Sequence, residues 1–409
     1  MLASECQYFR DFDYICKLNQ YIFCMKKLIF LALAALMMNA CQGTVDPDQE
    51  NPKDNTEQEG PNDDNQDPNE DTSDLEGAIT LYAERDVIKA DGTYVSPLTV
   101  MLMDKSGVEH DVTSEVEIYC NNGDKPIADT DFRTTEEGEY EFYAVRGFDI
   151  SNTVTVRAVK GVPELPADPD ETSVDFRHRM LLVQHTGNEC PNCPKMMETL
   201  KVLAGDEEYS PLYHHVASHS YNTSDAAYSS AASSLSKELD VHYYPWLTFN
   251  LSDDDAYDID DIKKMIDSYR QDVADAGISA AATVIGNSVY VNVGIKAASD
   301  SKVRVAVWLL EDNVRSTQSG ATASWQHMHN NCLRAMSGAT KNECIYGKNI
   351  GVVKGGESYE FIAAIDDLGQ TWNLDNCEVM VIAVSGNGTY DLMNCAVCPL
   401  EGEIEYEYL

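Results

Sequence analysis

The stretch that determines the fold is Arg179-Met-Leu-Leu-Val-Gln-His-Thr-Gly-Asn-Glu-Cys190-Pro-Asn-Cys193-Pro-Lys-Met-Met197. Its apolar run, residues 180–183, predicts a short buried strand, and residues 186–188 predict a turn. The two cysteines then stand before a helix predicted over residues 195–204. A Cys-x-x-Cys pair between a strand and a helix indicates redox chemistry rather than a zinc site.

The two cysteines have different predicted roles. Free backbone N–H groups and the positive end of the helix favour a thiolate at Cys190, which would be the nucleophile. Cys193 is close enough to resolve a mixed disulfide. His185, if protonated and near, would lower the pKa of Cys190 further, whereas the negative charge of Glu189 would oppose this.

A second motif follows about fifty residues later, Val241-His-Tyr-Tyr-Pro245-Trp-Leu-Thr-Phe-Asn250. In the thioredoxin fold, a proline that usually has a cis peptide bond opens the strand facing Cys-x-x-Cys, and Pro245 precedes an apolar run as that role requires. The two motifs together resemble the thioredoxin superfamily. This resemblance implies an α/β thioredoxin-like domain over residues 173–276 and adds Pro245 to the catalytic site, where it would hold an edge for pairing with substrate backbone.

A bacterial lipoprotein signal is predicted near the amino terminus. A basic start at Met25, a short apolar run over 28–36 and Ala40 precede Cys41, the position at which such signals are cleaved and lipidated. The sequence therefore predicts residues 1–40 as leader and signal, with synthesis starting at Met25, and Cys41 as the lipid attachment site. An ordinary cleaved signal with a free Cys41 thiol is the alternative.

The chain is strongly acidic, with 69 Asp and Glu against 29 Lys and Arg residues and a net charge of −40. Such charge argues against nucleic-acid binding and against charge-driven binding to anionic lipids. Residues 41–75 contain almost no apolar side chains, and we expect a disordered acidic tether there, or in part an outer-surface export signal. Membrane attachment would come from the lipid on Cys41.

Short alternating segments predict β-structure on both sides of the cysteine region. Residues 76–160 resemble a bacterial immunoglobulin-like β-sandwich, and a Pro-rich acidic linker follows at 161–172. Residues 277–409 predict a C-terminal β-sandwich with one long excursion at about 312–355. The predicted fold class is therefore multidomain: an all-β immunoglobulin-like sandwich, an α/β thioredoxin-like domain and a C-terminal β-sandwich.

A family resemblance covers residues 173–409. Thr186-Gly-Asn-Glu-Cys-Pro-Asn-Cys-Pro194, followed by a β-rich region, resembles the Omp-twenty-eight-related family of bacterial outer-membrane lipoproteins. His329-Asn-Asn-Cys-Leu-Arg334 is similar to a His-Asn-His-x-Leu-Arg stretch of that family, with Asn331 in place of the second His. Val183-Gln184 stand where that family leads us to expect an acidic pair. The resemblance implies an exported, envelope-attached protein.

Several alternatives remain open for the cysteines and histidines. The Cys190–Cys193 pair could be a permanent structural disulfide, and a zinc site would need two further ligands. Cys395-Ala-Val-Cys398 has no following helix, which favours a structural role. The sequence does not choose among the pairings of the six other cysteines after Cys41. Because Cys120 is alone in its domain and the other five lie in the last one, either at least one thiol is free or one bridge joins two domains. Core roles are favoured over metal binding for His327, His329 and Cys332, so no metal or cofactor is predicted.

The function that these patterns favour is thiol–disulfide exchange on exported proteins by an outer-membrane, lipid-anchored protein. Its partners would be the disulfides or thiols of exported proteins. The alternative is a non-enzymatic surface lipoprotein that binds a protein or a glycan, with the thioredoxin fold as a scaffold.

Overall fold

The structure, a computed structural model, describes residues 76–409. The predicted signal and leader at 1–40, the lipidation site Cys41 and the acidic tether at 41–75 lie outside the described residues. Within residues 76–409, no helix has the length and apolar character needed to cross a membrane. The described chain is mainly β-structure in several sheets, which confirms the β-rich, multi-sheet part of the prediction.

Residues 76–160 form two small sheets around one core. The strands are β1 (Gly77–Ala83), β2 (Val87–Lys89), β3 (Ser96–Asp104), β4 (Glu109–Asp111), β5 (Glu117–Cys120), β6 (Asp131–Phe132), β7 (Gly138–Arg146), β8 (Asp149–Ile150) and β9 (Val154–Val159). One sheet has the order β1-β3-β4, with β6 on β3, and the other has the order β2-β9-β7-β5, with β8 on β7. Alternate residues of the longer strands, such as Leu81, Val100 and Phe142, are fully buried between them.

The cysteine motif belongs to a β-α-β unit. This unit is β10 (Met180–Thr186), α1 (Cys193–Ala204) and β11 (Tyr213–His219). It is followed by α2 (Ser230–Glu238), β12 (Trp246–Phe249) and α3 (Ile259–Tyr269). Strand β10 is central, parallel to β11 on one side and antiparallel to β12 on the other. Helices α1 and α3 pack on one face of β10 through Met180 and Leu182, and α2 packs on the other face.

The remaining residues extend this sheet and add another. The elements are β13 (Ala276–Ile285), β14 (Ser288–Ala297), β15 (Ser301–Glu311), β16 (Val314–Arg315), β17 (Met328–His329), β18 (Cys332–Met336), α4 (Lys341–Tyr346), β19 (Lys348–Val353), β20 (Ser358–Ile365), β21 (Cys377–Ser385), β22 (Leu392–Pro399) and β23 (Glu403–Ile404). The large sheet runs β12-β10-β11-β18-β15-β21-β22, with β19 on β15. The other sheet runs β20-β14-β13-β23, and β16 pairs with β17 as a two-stranded ribbon.

The sequence suggested a domain boundary at residue 276, but the large sheet contains strands from both sides of that residue. Strand β11 pairs in parallel with β18 through Ala217 and Cys332. Strand β15 is buried on both faces, because Val305 and Val307 pack against the second sheet while Trp308 packs towards α2. The cysteine-bearing unit and the C-terminal strands therefore share one sheet and adjoining cores.

The acidic linker at 161–172 is held by a buried ammonium group. Lys296 on β14 is 1% exposed, and its Nζ lies 2.9 Å from a carboxylate oxygen of Asp168. The same Nζ donates to the backbone carbonyls of Asp170 and Glu171, and it lies 3.2 Å from the Tyr408 hydroxyl. The linker is thus fixed against the second sheet by an ion pair and backbone contacts.

Replacing Lys296 by Met should lower the free energy of unfolding by about 3 kcal/mol, because it leaves Asp168 and two carbonyls without their cationic donor. Urea unfolding followed by circular dichroism measures this. The control is Lys354→Met, which removes a surface ion pair with Asp300 whose side chains are both about 60% exposed and should change stability by less than about 1 kcal/mol. Equal effects of the two variants would contradict the anchoring role of Lys296.

Candidate functional site

Cys190 and Cys193 form a disulfide at the amino-terminal end of α1. Their Cα atoms are 5.4 Å apart, and α1 begins at Cys193 directly after the turn that follows β10. The helix cap residue, Asn192, makes no side-chain capping hydrogen bond within residues 76–409. The amino-terminal end of a helix carries positive partial charge, so this position favours a thiolate when the disulfide opens.

Pro245 stands immediately before β12, which pairs with β10, the strand that precedes the cysteines. The Tyr244–Pro245 peptide bond is cis. Trp246, the next residue, pairs with His185 in the antiparallel ladder between β12 and β10. The structure therefore brings Pro245 to the same end of β10 as the cysteine pair.

The side chain of His185 lies on the face of β10 opposite α1. It is fully buried, and its ring nitrogens contact Ser236 Oγ at 2.8 Å and Thr248 Oγ1 at 3.3 Å. Burial lowers the pKa of His185 to about 3, so the imidazole is neutral at pH 7. The tuning of Cys190 by a protonated His185 that the sequence suggested is therefore not provided by this structure. Glu189 is exposed next to Cys190.

A segment from the C-terminal region covers residues 187–192, the loop between β10 and α1, which we call the cysteine loop. We name residues 316–327 the strap. Within it, Ser319 N–H donates to the Asn188 carbonyl at 2.6 Å, and Gln318 Nε2 donates to the Cys190 carbonyl at 2.9 Å. Gln326 Nε2 donates to the Pro194 carbonyl at 3.2 Å. The strap thus binds the backbone on both sides of the disulfide.

Gly320 allows the strap to approach this closely. Its φ is +71°, and a Cβ built there would lie 2.3 Å from the Pro191 carbonyl oxygen. Cys190 is 3% exposed and Cys193 is fully buried. The disulfide is therefore shielded from solvent while the strap is in place.

A buried carboxylate holds the strap and the cysteine loop together. Asp225 accepts the backbone N–H of Asn188 at 2.8 Å and the hydroxyl of Ser316 at 2.7 Å. His219 Nδ1 lies 2.8 Å from the same carboxylate. Burial alone would raise the pKa of Asp225, but the hydrogen bond and charge of His219 outweigh it and hold the pKa well below its usual range. His219 also contacts His329 edge-on, with 4.6 Å between ring centroids.

The six other cysteines of residues 76–409 are free thiols: Cys120, Cys332, Cys344, Cys377, Cys395 and Cys398. Cys395 and Cys398 lie on strand β22 and face different cores, so this second Cys-x-x-Cys forms no disulfide. Burial raises the pKa of the Cys398 thiol to about 12. No group of three or more His, Cys, Asp or Glu side chains in residues 76–409 is arranged to hold a metal ion.

Sequence reasoning missed Asp225, Gln318 and Gly320. The two strap residues contact the cysteine loop although they are more than a hundred residues away in sequence. Gln318 and Cys190, for example, are 128 residues apart along the chain. The only sequence signal was the irregular excursion at about 312–355, because long irregular segments in compact domains are often functional. That excursion contains the strap.

Comparison with known proteins gives structural similarities of low score. No known family model matches the chain, and no curated protein matches it. HBP35 of Porphyromonas gingivalis is similar, with a TM-score of 0.47, 12% identity and coverage of 56% of this chain and 77% of that chain. Adhesin InvE of Yersinia pseudotuberculosis has a TM-score of 0.16, 9% identity and coverage of 81% and 59% of the two chains. Surface layer protein SbsC, domains 4–9, has a TM-score of 0.17 and 12% identity, and the match covers 79% of this chain and 50% of that chain. At these TM-scores the similarities carry no functional inference.

Gly320→Ala should accelerate reduction of the Cys190–Cys193 disulfide by dithiothreitol about tenfold or more. The added Cβ clashes with the Pro191 carbonyl and so separates the strap from the cysteine loop. Each 1.4 kcal/mol by which this strain lowers the barrier to opening increases the reduction rate about tenfold. Thiol trapping at timed intervals, followed by peptide mass spectrometry, measures the rate.

The matched control for this variant is Gly286→Ala. Gly286 also has a positive φ, +65°, but a Cβ built there would meet no atom of the described residues within 4 Å. Both variants therefore carry a similar backbone cost, and only Gly320→Ala adds a clash at the disulfide. Equal reduction rates for the two would show that the strap does not limit access.

His185 should make the protein less stable as the pH falls. Its pKa is lowered on folding, so its contribution is complete above about pH 6.5 and is lost as the pH approaches 3. Between pH 7.5 and 4.5 this loss is about 3 kcal/mol. We expect His185→Asn to remove most of it in urea unfolding at the two pH values. The exposed His242→Asn control should leave the pH dependence unchanged, and an unaltered slope for His185→Asn would refute the assignment.

Proposed function

We propose that this protein catalyses thiol–disulfide exchange on exported proteins, through a thioredoxin-like site. The observation that carries the proposal is the Cys190–Cys193 pair at the start of α1, with Pro245 opening the neighbouring strand. The β10-α1-β11 order with parallel strands supports it, because Cys-x-x-Cys in a β-α-β context is typical of thioredoxin-like redox motifs.

The proposed reaction has two thiol–disulfide exchange steps. A substrate thiolate attacks Cys190 Sγ, the Cys190–Cys193 bond breaks, and Cys193 leaves as a thiolate. A second substrate thiolate then attacks the substrate sulfur of the mixed disulfide, and Cys190 leaves as a thiolate that the start of α1 stabilises. The substrate dithiol becomes a disulfide, and the enzyme pair takes up the two electrons.

Access to Cys190 requires displacement of the strap. Cys190 is 3% exposed beneath residues 316–327, and the attacking thiolate must approach its sulfur along the disulfide axis. Strap opening would therefore precede each exchange and would favour substrates that compete for the carbonyls bound by Gln318 and Ser319.

The proposed setting is the outer membrane, with the chain anchored by a lipid on Cys41. Residues 41–75 would be the acidic tether, and the immunoglobulin-like module at 76–160 would lift the redox site away from the membrane. The resemblance to Omp-twenty-eight-related lipoproteins supports this setting. The net charge of −40 fits a partner that is neither nucleic acid nor an anionic lipid surface.

The second candidate is a non-enzymatic surface lipoprotein with a structural disulfide. Shielding of Cys190 favours it, and so do exposed aromatic side chains near Pro245. Tyr243 is 50% exposed. The centroid of its ring lies 4.3 Å from that of Trp246 and 5.9 Å from that of Tyr257. Exposed aromatic clusters suit contacts with a protein or with the faces of sugar rings.

The reduction potential of the Cys190–Cys193 pair separates the two candidates. The chain is equilibrated with glutathione buffers, free thiols are trapped, and the cysteine peptides are identified by mass. A working exchange site should have a potential between about −120 and −230 mV, whereas structural bridges tend to lie below about −300 mV. A pair that stays oxidised in every buffer would favour the binding protein.

Cys190→Ser should abolish oxidation of a reduced dithiol peptide by the chain. The matched control is Cys344→Ser, which removes a half-buried free thiol outside the site and should leave the rate unchanged. Exchange that continues in the Cys190→Ser, Cys193→Ser double variant would sink the enzymatic proposal.

A further inference from the structure

A cavity of about 430 Å³ lies over one face of β10 and β11, between α1 on one side and Trp325 of the strap with the following residues 328–331 on the other. Its floor comes from alternate residues of the two strands, including Gln184, Thr186 and His215. Met197 and Leu200 of α1 form an apolar wall, while Trp325 and residues 328–331 form the opposite side. The cavity is separate from the disulfide, and binding there does not depend on redox activity.

The floor contains buried polar atoms without partners. Gln184 is 4% exposed and Thr186 is 2% exposed, and neither Gln184 Nε2 nor Thr186 Oγ1 has a hydrogen-bond partner among the described residues. Buried polar groups are nearly always hydrogen-bonded, because leaving one unpaired is unfavourable. Two such groups that line one cavity can therefore hydrogen-bond to a molecule that enters it, whether water or a ligand.

His215 adds a third donor to the same floor. Its Nδ1 lies 3.3 Å from Asn331 Nδ2, which can only donate, so Nδ1 accepts and the proton resides on Nε2. His215 Nε2 also has no hydrogen-bond partner among residues 76–409. The groups that await a partner are thus an amide N–H, an imidazole N–H and a hydroxyl.

The charge around the cavity is the reverse of that of the whole chain. Within the part of the chain that the structure describes, no Asp or Glu lines it, although the chain has 69 such residues. Lys201 lines its mouth, with Nζ 4.2 Å from the centroid of the Trp325 ring. Donors on the floor, one cation at the mouth and an apolar wall match a small molecule that has both a carboxylate and an apolar part.

We propose that this cavity binds a small organic carboxylate, with its oxygens on the Gln184 and His215 donors and its apolar part against Met197 and Leu200. Thr186 can complete the hydrogen bonding, because a hydroxyl donates as well as accepts. Lys201 supplies the positive charge that selects an anion over an amine of the same shape.

The test uses benzoate, with benzylamine as the matched cation, added to the full chain and followed by isothermal titration and Trp fluorescence. Benzoate should bind with a Kd of about 1 mM or tighter, and benzylamine should bind at least about tenfold more weakly. Absence of benzoate binding, or equal binding of the two probes, would overturn the proposal.

Two variants and one control test whether benzoate binds in the cavity. Lys201→Met should weaken benzoate binding about tenfold, because a charged donor is lost at an exposed position that does not affect folding. Thr186→Val should weaken it less, by a few-fold. Lys195→Met is the control, since Lys195 is exposed on the same helix but does not line the cavity. If Lys195→Met weakened binding as much as Lys201→Met, the site assignment would be wrong.

Discussion

The architecture around the disulfide depends on one buried carboxylate, that of Asp225. It accepts hydrogen bonds from the Asn188 backbone and the Ser316 hydroxyl, and it pairs with His219 on β11. These three groups belong to the cysteine loop, the strap and the central sheet. A buried carboxylate needs such pairing to remain ionised, so Asp225 ties the three segments to one another.

Local patterns in the sequence were sufficient for the β-α-β unit. The apolar run of β10, the turn after it and the helix that begins at Cys193 are set by neighbours within about twenty residues. Pro245 was also recognisable, because proline has few roles at the start of a buried strand. The strap could not be predicted, since Gln318 meets Cys190 through a backbone carbonyl, a group that every residue has.

The role suggested for His185 shows a second limit of sequence reasoning. Its position five residues before Cys190 implied proximity, but a strand turns successive side chains to opposite faces. His185 therefore faces Ser236 on α2, while Gln184 and Thr186 face α1 and the cavity. A shift of one residue along β10 decides whether a polar side chain is held by hydroxyl groups or lines the cavity.

The distance along the chain between Cys190 and the strap has a consequence for biogenesis. Residues 316–327 leave the ribosome well after the cysteines that they cover. For that interval the cysteine loop is uncovered and open to oxidants or to partner proteins. The later arrival of the strap then separates a stage in which the two cysteines are exposed from one in which they are buried.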